Sequence, residues 1–188
     1  TPADVHLNLL PLFHVGGLFM ATMAFHAGAL NVNMSKFDAG RAVELIEEHR
    51  VTVLFDFSPI LGSILDEQGR TGRKVGSLKH VIGIEAADAI EKYEKSTGGT
   101  FYVLYGQTET SAIATLGRYR DRPGSAGRPI ALADVKLVDD NDGAVAPGAV
   151  GEIAVKGPMV FKRYWELPEE TAYAFRGGWH HTGDLGRF

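Results

Sequence analysis

Short apolar runs alternate with amphipathic stretches through the first part of the chain, and this alternation constrains the fold more than any other feature. The runs at 51–55, 79–84 and 100–105 are short and rich in β-branched or aromatic residues, as buried strands are. The stretches at 39–49 and 86–99 have the length and apolar spacing of helices. Strands that alternate with helices predict an α/β fold, with a parallel-rich sheet and flanking helices built from βαβ units.

Helix-boundary signals support these assignments. Asp38 is a favourable N-cap for the helix at 39–49, whose Val43, Leu45 and Ile46 fall on one apolar face. The Ser58-Pro59 pair predicts that another helix opens here with proline at its first position, where no backbone N–H is needed.

The most apolar part of the chain lies near its beginning, where VGGLFMATMAFHAGALNV contains three glycines and a histidine. A membrane-spanning helix needs about 20 predominantly apolar residues. We therefore expect a buried helix at 16–28 and a strand at 29–34, after a strand-like start in 5–13, and no transmembrane segment.

The residue pattern of the sequence changes at RDRPGSAGRP, a loop rich in proline and glycine. Beyond it, strand-like runs at 134–140 and 150–157 are separated by turn residues, and PEETAYAF at 168–175 predicts one short helix. GGWHHTGDLG is expected to form a tight turn that leads into a further strand. The chain is thus predicted to contain an α/β sheet subdomain over 1–117 and a small, mostly antiparallel β subdomain over 118–188.

Composition excludes several classes of function. The chain has 188 residues, a formal net charge of −4 and no cysteine. A negative net charge argues against binding to nucleic acid or to an anionic membrane. Without cysteine there is no disulfide and no thiolate chemistry, which is compatible with the cytoplasmic location that we expect. The chain begins at Thr1 without an initiator methionine and stops at DLGRF, so we expect a fragment of a larger enzyme.

YGQTE directly follows the last predicted parallel strand. Parallel sheets bind ligands beyond the carboxyl ends of their strands. Gly106 lets a ligand approach the backbone, and Tyr105 offers an aromatic face and a hydroxyl. Thr108 can bond a phosphate oxygen, and Glu109 can hold a hard cation such as Mg²⁺. Together these groups suit a nucleotide with its metal, although taken alone the stretch is also compatible with a polar turn.

Two further motifs place a polar side chain beside glycine. In HHTGDLG, Asp184 is either a plain turn residue or a carboxylate that accepts two ribose hydroxyls. Each hydrogen bond to such a charged group contributes about 1.5–3 kcal/mol to the binding free energy. In PLFHVGG, His14 either lines the mouth of a pocket or is a buried histidine bonded to a backbone carbonyl.

The sequence lacks the signatures of several other catalytic sites. His180 and His181 are adjacent, so in a strand they would face opposite ways, and no His/Asp/Glu spacing matches a zinc site. TGRK at 71–74 follows a helix and lacks the pattern of a phosphate-binding loop. There is no G-x-S-x-G, so a hydrolase nucleophile elbow is not expected.

Taken in order, the motifs are far more specific than any one of them. PLFHVGG, YGQTE, PGSAGRP, GEIAVKGPMVFKRYW and GGWHHTGDLG resemble, in this order and spacing, the adenylate-forming (AMP-binding) superfamily. The resemblance covers essentially the whole chain, and YGQTE and TGD are its most specific parts. FHVGG and PGSAGRP are typical of its acyl-CoA synthetase/ligase branch. The chain is similar to the central part of the large N-terminal domain of these enzymes.

The resemblance implies an ATP-dependent, AMP-forming acid–thiol ligase. A carboxylate attacks the α-phosphate of Mg·ATP to give an acyl-adenylate and pyrophosphate, and a thiol, usually that of coenzyme A, then takes the acyl group. The implied partners are a small-molecule carboxylic acid, ATP, Mg²⁺ and coenzyme A. Because an anion must attack a polyanion in the first step, metal and hydrogen-bond donors are needed at the phosphates.

Carried over onto matching positions, the resemblance assigns YGQTE to the nucleotide. Tyr105 would pack on the adenine, while Gly106 and Gln107 would shape the nucleotide and acyl pocket. Thr108 would bond the α-phosphate and Glu109 would hold Mg²⁺, which makes these two the implied catalytic residues.

The remaining implied roles concern the ribose and the acid. Asp184 would bind the ribose hydroxyls, and His14 would lie between the acyl pocket and the thiol tunnel. The strand end at Gly83 and Ile84 would form the pocket wall. Phe57, Ile60 and Ile84 would give this pocket an apolar lining, which favours a fatty or aryl acid over a charged one.

The chain departs from the family pattern in several places. The phosphate loop that precedes PLFHVGG in the family, and the C-terminal domain with its adenylation lysine, are not in this sequence, so the chain alone is expected to be inactive. GIEAA at 83–87 replaces a more usual Gly-Gly/Ser-Ala-Pro, and Arg163 stands where the family usually has glycine before Tyr-Trp.

Two alternatives stay open at this point. A peptide-synthetase adenylation domain predicts an aspartate near the start of the pocket that holds an amino group, for which Asp56 is the candidate. A non-catalytic nucleotide- or acyl-binding module is the other alternative, although Thr108, Glu109 and Asp184 are all present.

Overall fold

The structure, a computed structural model, describes residues 1–188. Its strands are β1 Val5–Asn8, β2 Leu30–Asn33, β3 Val53–Phe57, β4 His80–Ile84, β5 Thr100–Tyr105, β6 Thr115–Arg118, β7 Arg128–Pro129, β8 Asp134–Val138, β9 Gly151–Lys156 and β10 His180–Gly186. Its α-helices are α1 Val15–His26, α2 Ala39–His49, α3 Ile60–Thr71, α4 Ala87–Thr97 and α5 Pro168–Ala174. None of the helices combines the length and the apolar character needed to cross a membrane.

The first five strands form the parallel sheet that the alternation predicts. In the order β2-β1-β3-β4-β5, every neighbouring pair runs parallel. β3 and β4 pair from Val53 opposite His80 to Phe57 opposite Ile84, so their carboxyl ends share one edge. The short strands β6 and β7 complete a seven-stranded sheet and pair antiparallel with each other. The predicted α/β fold with a mostly parallel sheet is confirmed.

The contacts within the chain divide it into two units. The first contains Thr1–Leu104 and Gly117–Gly127, and the second contains Tyr105–Leu116 and Arg128–Phe188. The predicted boundary between two subdomains at residues 117 and 118 stays a prediction.

The core of the first unit lies between the parallel sheet and its helices. Leu54 on β3 and Phe101 on β5 are fully buried, and so are Ile46 on α2, Leu61 on α3 and Tyr93 on α4. Replacing a buried side chain of this size with alanine costs about 2–5 kcal/mol. This packing fixes the strands whose ends carry the predicted site residues.

Helix α2 begins as the sequence predicts. Asp38 Oδ1 accepts a 2.8 Å hydrogen bond from the backbone N–H of Arg41. Val43 and Ile46 are fully buried on the face that meets the core. Arg50 ends the helix in the left-handed conformation, with φ of 52°.

Two boundaries predicted from the sequence are wrong. β3 lies two residues later than the predicted 51–55, so the strand includes the polar Asp56. Pro59 is not the first residue of α3 but the residue before it, with φ of −105°. The helix is capped from the strand instead, because Asp56 Oδ1 accepts a 3.0 Å hydrogen bond from the N–H of Leu61.

The second unit contains the predicted antiparallel β structure. Its three-stranded sheet has the order β10-β9-β8 and is antiparallel throughout. Asp139 Oδ1 closes the turn after β8 by accepting the N–H groups of Asn141 and Gly143, both at 2.9 Å. The short helix predicted at 168–175 is α5, with Pro168 in its first turn.

The tight turn predicted at TGD is a bulge inside a strand. The register of β10 against β9 shifts between His181 and Leu185. Three residues of β10 therefore face a single residue of β9, Ile153. Gly183 in this bulge has φ of +76°, which other residues rarely adopt. Asp184 is thus carried within a paired strand and not by a turn ahead of it.

Candidate functional site

YGQTE leaves the sheet as a loop that is closed on itself. β5 ends at Tyr105, and Thr108–Thr110 form a 3₁₀ turn. The hydroxyl of Thr110 accepts the N–H of Gln107 at 2.9 Å, and the N–H of Thr110 bonds back to the Gln107 carbonyl at 3.1 Å. The side chains that follow the strand are therefore displayed in a defined arrangement.

Packing alone requires a glycine at position 106. A Cβ atom on Gly106 would lie 2.1 Å from the carbonyl oxygen of Ala112. The chain returns this closely where Ser111 and Ala112 both have positive φ, 53° and 85°. Backbone strain of this kind costs about 1–3 kcal/mol per residue and is concentrated at functional sites. The close approach seen at Gly106 is thus to the chain's own backbone, and its approach to a ligand stays a prediction.

Two side chains of YGQTE meet the carboxylate of Asp184. The Tyr105 hydroxyl donates to Asp184 Oδ2 at 2.7 Å, and Gln107 Nε2 donates to the same oxygen at 2.8 Å. Burial raises the pKa of Tyr105, and the Asp184 carboxylate raises it further, so the phenol stays a donor. Asp184 is exposed, and its Oδ1 has no hydrogen bond within the protein. That oxygen can accept a ligand hydroxyl.

Further partners fix the orientation of the Gln107 amide. Its Nε2 also donates to the Thr182 carbonyl at 2.9 Å, and its Oε1 lies 3.3 Å from Nε2 of His180. Burial lowers the pKa of His180, so the ring is neutral at pH 7 and donates this bond from Nε2. Only one orientation of the amide suits these partners, and it directs an N–H group at Asp184.

Glu109 and Thr108 make separate contacts. Glu109 Oε1 accepts a 3.0 Å hydrogen bond from the hydroxyl of Tyr164, and the Glu109 carbonyl accepts the N–H of Phe161 at 2.8 Å. Burial raises the pKa of Tyr164, as does its bond to Glu109. Thr108 is exposed, and its hydroxyl makes no hydrogen bond within the protein. This hydroxyl can therefore donate to a phosphate oxygen.

The surroundings of Glu109 suit one hard divalent cation. Its Oε2 has no hydrogen-bond partner in the protein, and carboxylate oxygens are preferred Mg²⁺ ligands. Mg²⁺ in nucleotide sites is usually held by one or two carboxylates together with substrate phosphates and water. No group of three or more His, Cys, Asp or Glu side chains forms an all-protein metal site. The residues present fit Mg²⁺ held jointly by Glu109 and a bound phosphate.

Sequence reasoning missed three residues that hold this site together, namely Tyr164, His180 and Thr182. Each lies within a recognised motif, FKRYW or HHTGD. Their partners in YGQTE are 55, 73 and 75 positions away in the chain. A single sequence contains no signal that pairs side chains over such separations.

In the first unit, His14 is exposed, so its interpretation as a buried histidine is wrong. It is the N-cap of α1, and its Nδ1 accepts the N–H of Gly16 at 3.1 Å. The imidazole also packs edge-on against the ring of Phe57, with 6.0 Å between the ring centroids. His14 is therefore held beside the carboxyl end of β3.

Gly83 and Ile84 end β4 at the same edge of the sheet. A Cβ atom on Gly83 would lie 2.0 Å from the carbonyl oxygen of Asp56, so only glycine lets the two strands approach. Ile84 is 51% exposed, and its carbonyl accepts the N–H of Ser58 at 2.8 Å. An exposed apolar side chain is thus presented on a fixed strand end, and its role as a pocket wall stays a prediction.

Asp56 does not suit the amino-group role considered for it. The residue is fully buried, and its Oδ2 has no hydrogen-bond partner. Burial raises the pKa of Asp56 to about 8, with a further contribution from the charge of Glu85. The carboxyl is therefore mostly protonated at pH 7 and offers no negative charge to an ammonium group.

The sequence of the chain is similar to a known protein family. Residues 1–165 match the family described as AMP-binding enzyme. The chain is 35% identical over 192 residues to the medium/long-chain-fatty-acid–CoA ligase FadD8 of Mycobacterium tuberculosis, covering 96% of this chain and 33% of that protein. It is 37% identical over 188 residues to the 2-succinylbenzoate–CoA ligase of Geobacillus kaustophilus, covering 97% and 38%.

Solved structures agree with the fold. A Rhodopseudomonas palustris protein named as a long-chain-fatty-acid CoA ligase superposes with a TM-score of 0.94 at 46% identity, over 100% of this chain and 48% of that chain. O-succinylbenzoate coenzyme A synthetase (MenE) from Bacillus subtilis, in complex with ATP and magnesium ion, gives a TM-score of 0.88 at 29% identity, over 100% and 40%. The chain spans about a third of the length of these curated relatives and less than half of these solved chains.

Proposed function

The chain belongs to the AMP-binding enzyme family, and on that premise we propose that it contributes the nucleotide and acid sites of an ATP-dependent acyl-CoA synthetase. The full-length protein activates a fatty or aryl carboxylic acid and transfers the acyl group to coenzyme A. The observation that carries the proposal is the cluster of Tyr105, Gln107 and Asp184, which holds one carboxylate oxygen and leaves the other without a protein partner. Relatives named as fatty-acid–CoA ligases support the same reaction class.

The reaction has two steps. A carboxylate oxygen of the acid attacks the α-phosphorus of ATP, the bond from that phosphorus to the bridging oxygen breaks, and pyrophosphate leaves. The sulfur of the thiol then attacks the acyl carbon of the acyl-adenylate, AMP leaves, and the thiol proton passes to solvent. The first step brings an anion to a polyanion, so most of its barrier is electrostatic.

Tyr105, Gln107 and Asp184 hold the nucleoside in this proposal. The half-buried ring of Tyr105 stacks on the adenine. Its hydroxyl and the Gln107 amide keep the Asp184 carboxylate turned so that Oδ1 accepts the ribose hydroxyls. Hydrogen bonds to a charged group contribute about 1.5–3 kcal/mol each. Gly106 lets the loop close tightly next to the strand.

Thr108 and Glu109 act at the phosphates. The free hydroxyl of Thr108 donates to an α-phosphate oxygen, where negative charge increases during the attack. Glu109 holds Mg²⁺ through its carboxylate, and the hydroxyl of Tyr164 keeps that carboxylate oriented. Bound Mg²⁺ supplies positive charge that offsets the repulsion between acid and triphosphate.

We assign the binding of the carboxylic acid to residues of the first unit. Ile84 and Phe57 offer apolar surface at the strand ends, and Gly83 allows those strands to lie close together. His14 packs against Phe57 and is exposed, so it can contact the acyl group or the incoming thiol. An apolar lining favours a fatty or aryl acid over an amino acid. The buried Asp56 is mostly protonated at pH 7, so it offers no negative charge to the ammonium group of an amino acid. A cytoplasmic location remains part of the proposal.

ATP–pyrophosphate exchange on the full-length protein tests the proposal. The assay compares short, long and aromatic acids with amino acids and includes a control without acid. We expect exchange with one class of apolar acid and subsequent thioester formation with coenzyme A. Exchange with amino acids alone would point to a peptide-synthetase type of enzyme. No exchange with any acid, together with binding of an acyl-adenylate analogue, would point to a non-catalytic binding module.

A further inference from the structure

Glu152 on β9 receives three hydrogen bonds next to the bulge that carries Asp184. Its Oε1 accepts the N–H of Gly183 at 3.0 Å, and its Oε2 accepts from His181 Nδ1 and Arg176 Nη2, both at 2.8 Å. Burial raises the pKa of Glu152, but the bonds from His181 and Gly183 outweigh burial and the pKa is lowered. The side chain is therefore a charged and fully engaged carboxylate.

These bonds replace strand pairing that the bulge lacks. Three residues of β10 face only Ile153 of β9, so the backbone N–H groups between them have no regular ladder partner. The hydroxyl of Thr182 donates to the Ile153 carbonyl at 2.7 Å and accepts the N–H of Asp184 at 3.2 Å. Glu152 accepts the N–H of Gly183, the residue with positive φ. Two side chains, Thr182 and Glu152, thus define the conformation of the bulge.

Glu152 is itself held in place. Arg176 and His181, which both donate to it, also face a second carboxylate, since Asp142 Oδ1 lies 3.3 Å from Arg176 Nε and 3.6 Å from His181 Nε2. The side chain of His181 is only 2% exposed. Charge-assisted hydrogen bonds in such a partly buried network are stronger than isolated surface ion pairs.

We infer that Glu152 is a positioning residue for Asp184. It fixes the backbone on one side of Asp184, while Tyr105 and Gln107 fix the carboxylate on the other. The inference rests on the proposed function, in which Asp184 binds the ribose hydroxyls. A productive site tolerates displacements of only about 0.5 Å. A loosened bulge therefore loses hydroxyl contacts although the carboxylate is still present.

The test compares the binding of ATP and of 2′,3′-dideoxy-ATP to the full-length protein by calorimetry. The ratio of the two dissociation constants isolates the hydroxyl contacts, because a general loss of stability weakens both nucleotides alike. We expect the wild type to prefer ATP by at least about 10-fold, because the analogue lacks both hydroxyls and a single hydrogen bond to a charged group already contributes this much. Asp184→Ala should lose most of that preference.

Glu152→Gln keeps the size of the side chain but removes its charge, and its amide nitrogen cannot accept a hydrogen bond. We expect the preference for ATP to fall by about 3- to 10-fold, a smaller loss than in Asp184→Ala. Arg176→Gln removes one of the three donors to Glu152 and should give a smaller loss still. The matched control is Glu170→Gln, which changes an exposed glutamate of α5 and should keep the wild-type ratio.

The outcomes separate the inference from its premise. A wild-type ratio in a folded Glu152→Gln variant overturns the inference and leaves the proposed function standing. A wild type that does not distinguish the two nucleotides removes the ribose role of Asp184, and the inference fails with it. If Glu152→Gln does not fold, a wild-type ratio in Arg176→Gln overturns the inference, and a reduced ratio supports it.

Discussion

The phenol of Tyr105 donates a 2.7 Å hydrogen bond to the carboxylate of Asp184, 79 positions later in the chain. By sequence alone, YGQTE and TGD are each compatible with a plain polar turn, but this bond joins them in one hydrogen-bonded cluster. It also occupies one carboxylate oxygen and leaves the other, Oδ1, without a partner in the protein. Substitutions in the two motifs should therefore have different effects on the kinetics of the full-length protein.

Asp184→Ala should weaken ATP binding more than it slows turnover. The substitution removes the acceptor proposed for the ribose hydroxyls, which are far from the bonds that form and break. We expect the KM for ATP to rise roughly 10- to 100-fold, with a much smaller change in kcat. Tyr105→Phe keeps the ring and removes one donor to Asp184, so its effect should be about 2- to 10-fold. Steady-state kinetics of the full-length protein measure both.

The exposed Asp140 offers a control in the same unit. Asp140→Ala should leave the KM for ATP unchanged. An equal effect of Asp140→Ala and Asp184→Ala would mean that general charge, and not the Tyr105 contact, determines nucleotide binding.

Glu109→Ala should mostly slow adenylation. Because Glu109 is the proposed protein ligand of the metal that acts at the phosphates, its removal should destabilise the transition state of adenylation. We expect kcat for acyl-adenylate formation to fall by roughly 100- to 1,000-fold, as for other preorganised groups at a developing charge. Tyr164→Phe leaves the carboxylate in place and removes only its 3.0 Å hydrogen bond, so the fall should be about 2- to 10-fold. Unchanged kinetics in both Glu109→Ala and Asp184→Ala would remove the site assignment.

The fold was predictable where local signals decide the structure. The N-cap at Asp38 and the buried face at Val43 and Ile46 both follow from residues within one helix, and the structure confirms them. The alternation of strands with helices predicts the parallel sheet for the same reason, because each βαβ unit closes over a short length of chain.

Contacts between distant segments were not predictable. The boundary of β3 was wrong because Asp56, a residue that disfavours strands, stays in the strand and caps α3 across the loop. TGD was expected to be a turn because it contains a glycine. In the structure it forms a bulge in β10, the strand that pairs with β9. The partners His180 and Tyr164 could not be assigned, since only tertiary packing brings them to Gln107 and Glu109.

Ile84→Ala should change the preference among acids without unfolding the protein. The side chain is 51% exposed, so its truncation removes little core packing. One methylene in an apolar pocket changes specificity by about 10- to 200-fold, so the preferred acid should lose at least about tenfold in kcat/KM relative to a bulkier one. Gly83→Ala is the contrasting variant, because its Cβ meets backbone at 2.0 Å and should lower the melting temperature. An unchanged order of acids in Ile84→Ala would exclude this strand end from the pocket.

Asp56→Asn should flatten the dependence of stability on pH. The pKa of Asp56 is raised from 3.8 to about 8, first by burial and then by the charge of Glu85. Between these values the folded chain holds a proton that the unfolded chain has released. The free energy of unfolding therefore falls as pH rises from about 4 to about 8, by up to about 1.4 kcal/mol per pH unit from this group. Asparagine cannot ionise, and its Oδ1 still accepts the N–H of Leu61.

Urea denaturation of the full-length protein at several pH values in this range measures the slope. Wild type and Asp56→Asn should have similar stability near pH 4, and the variant should be the more stable of the two at pH 8, since it avoids a buried charge. Asp66→Asn, on the exposed surface of α3, removes an ion pair with Lys92 that contributes little and should keep the wild-type slope. Parallel pH profiles for wild type and Asp56→Asn would show that Asp56 ionises alike in the folded and unfolded chain, and would reopen its candidacy as a charged ligand for an amino group.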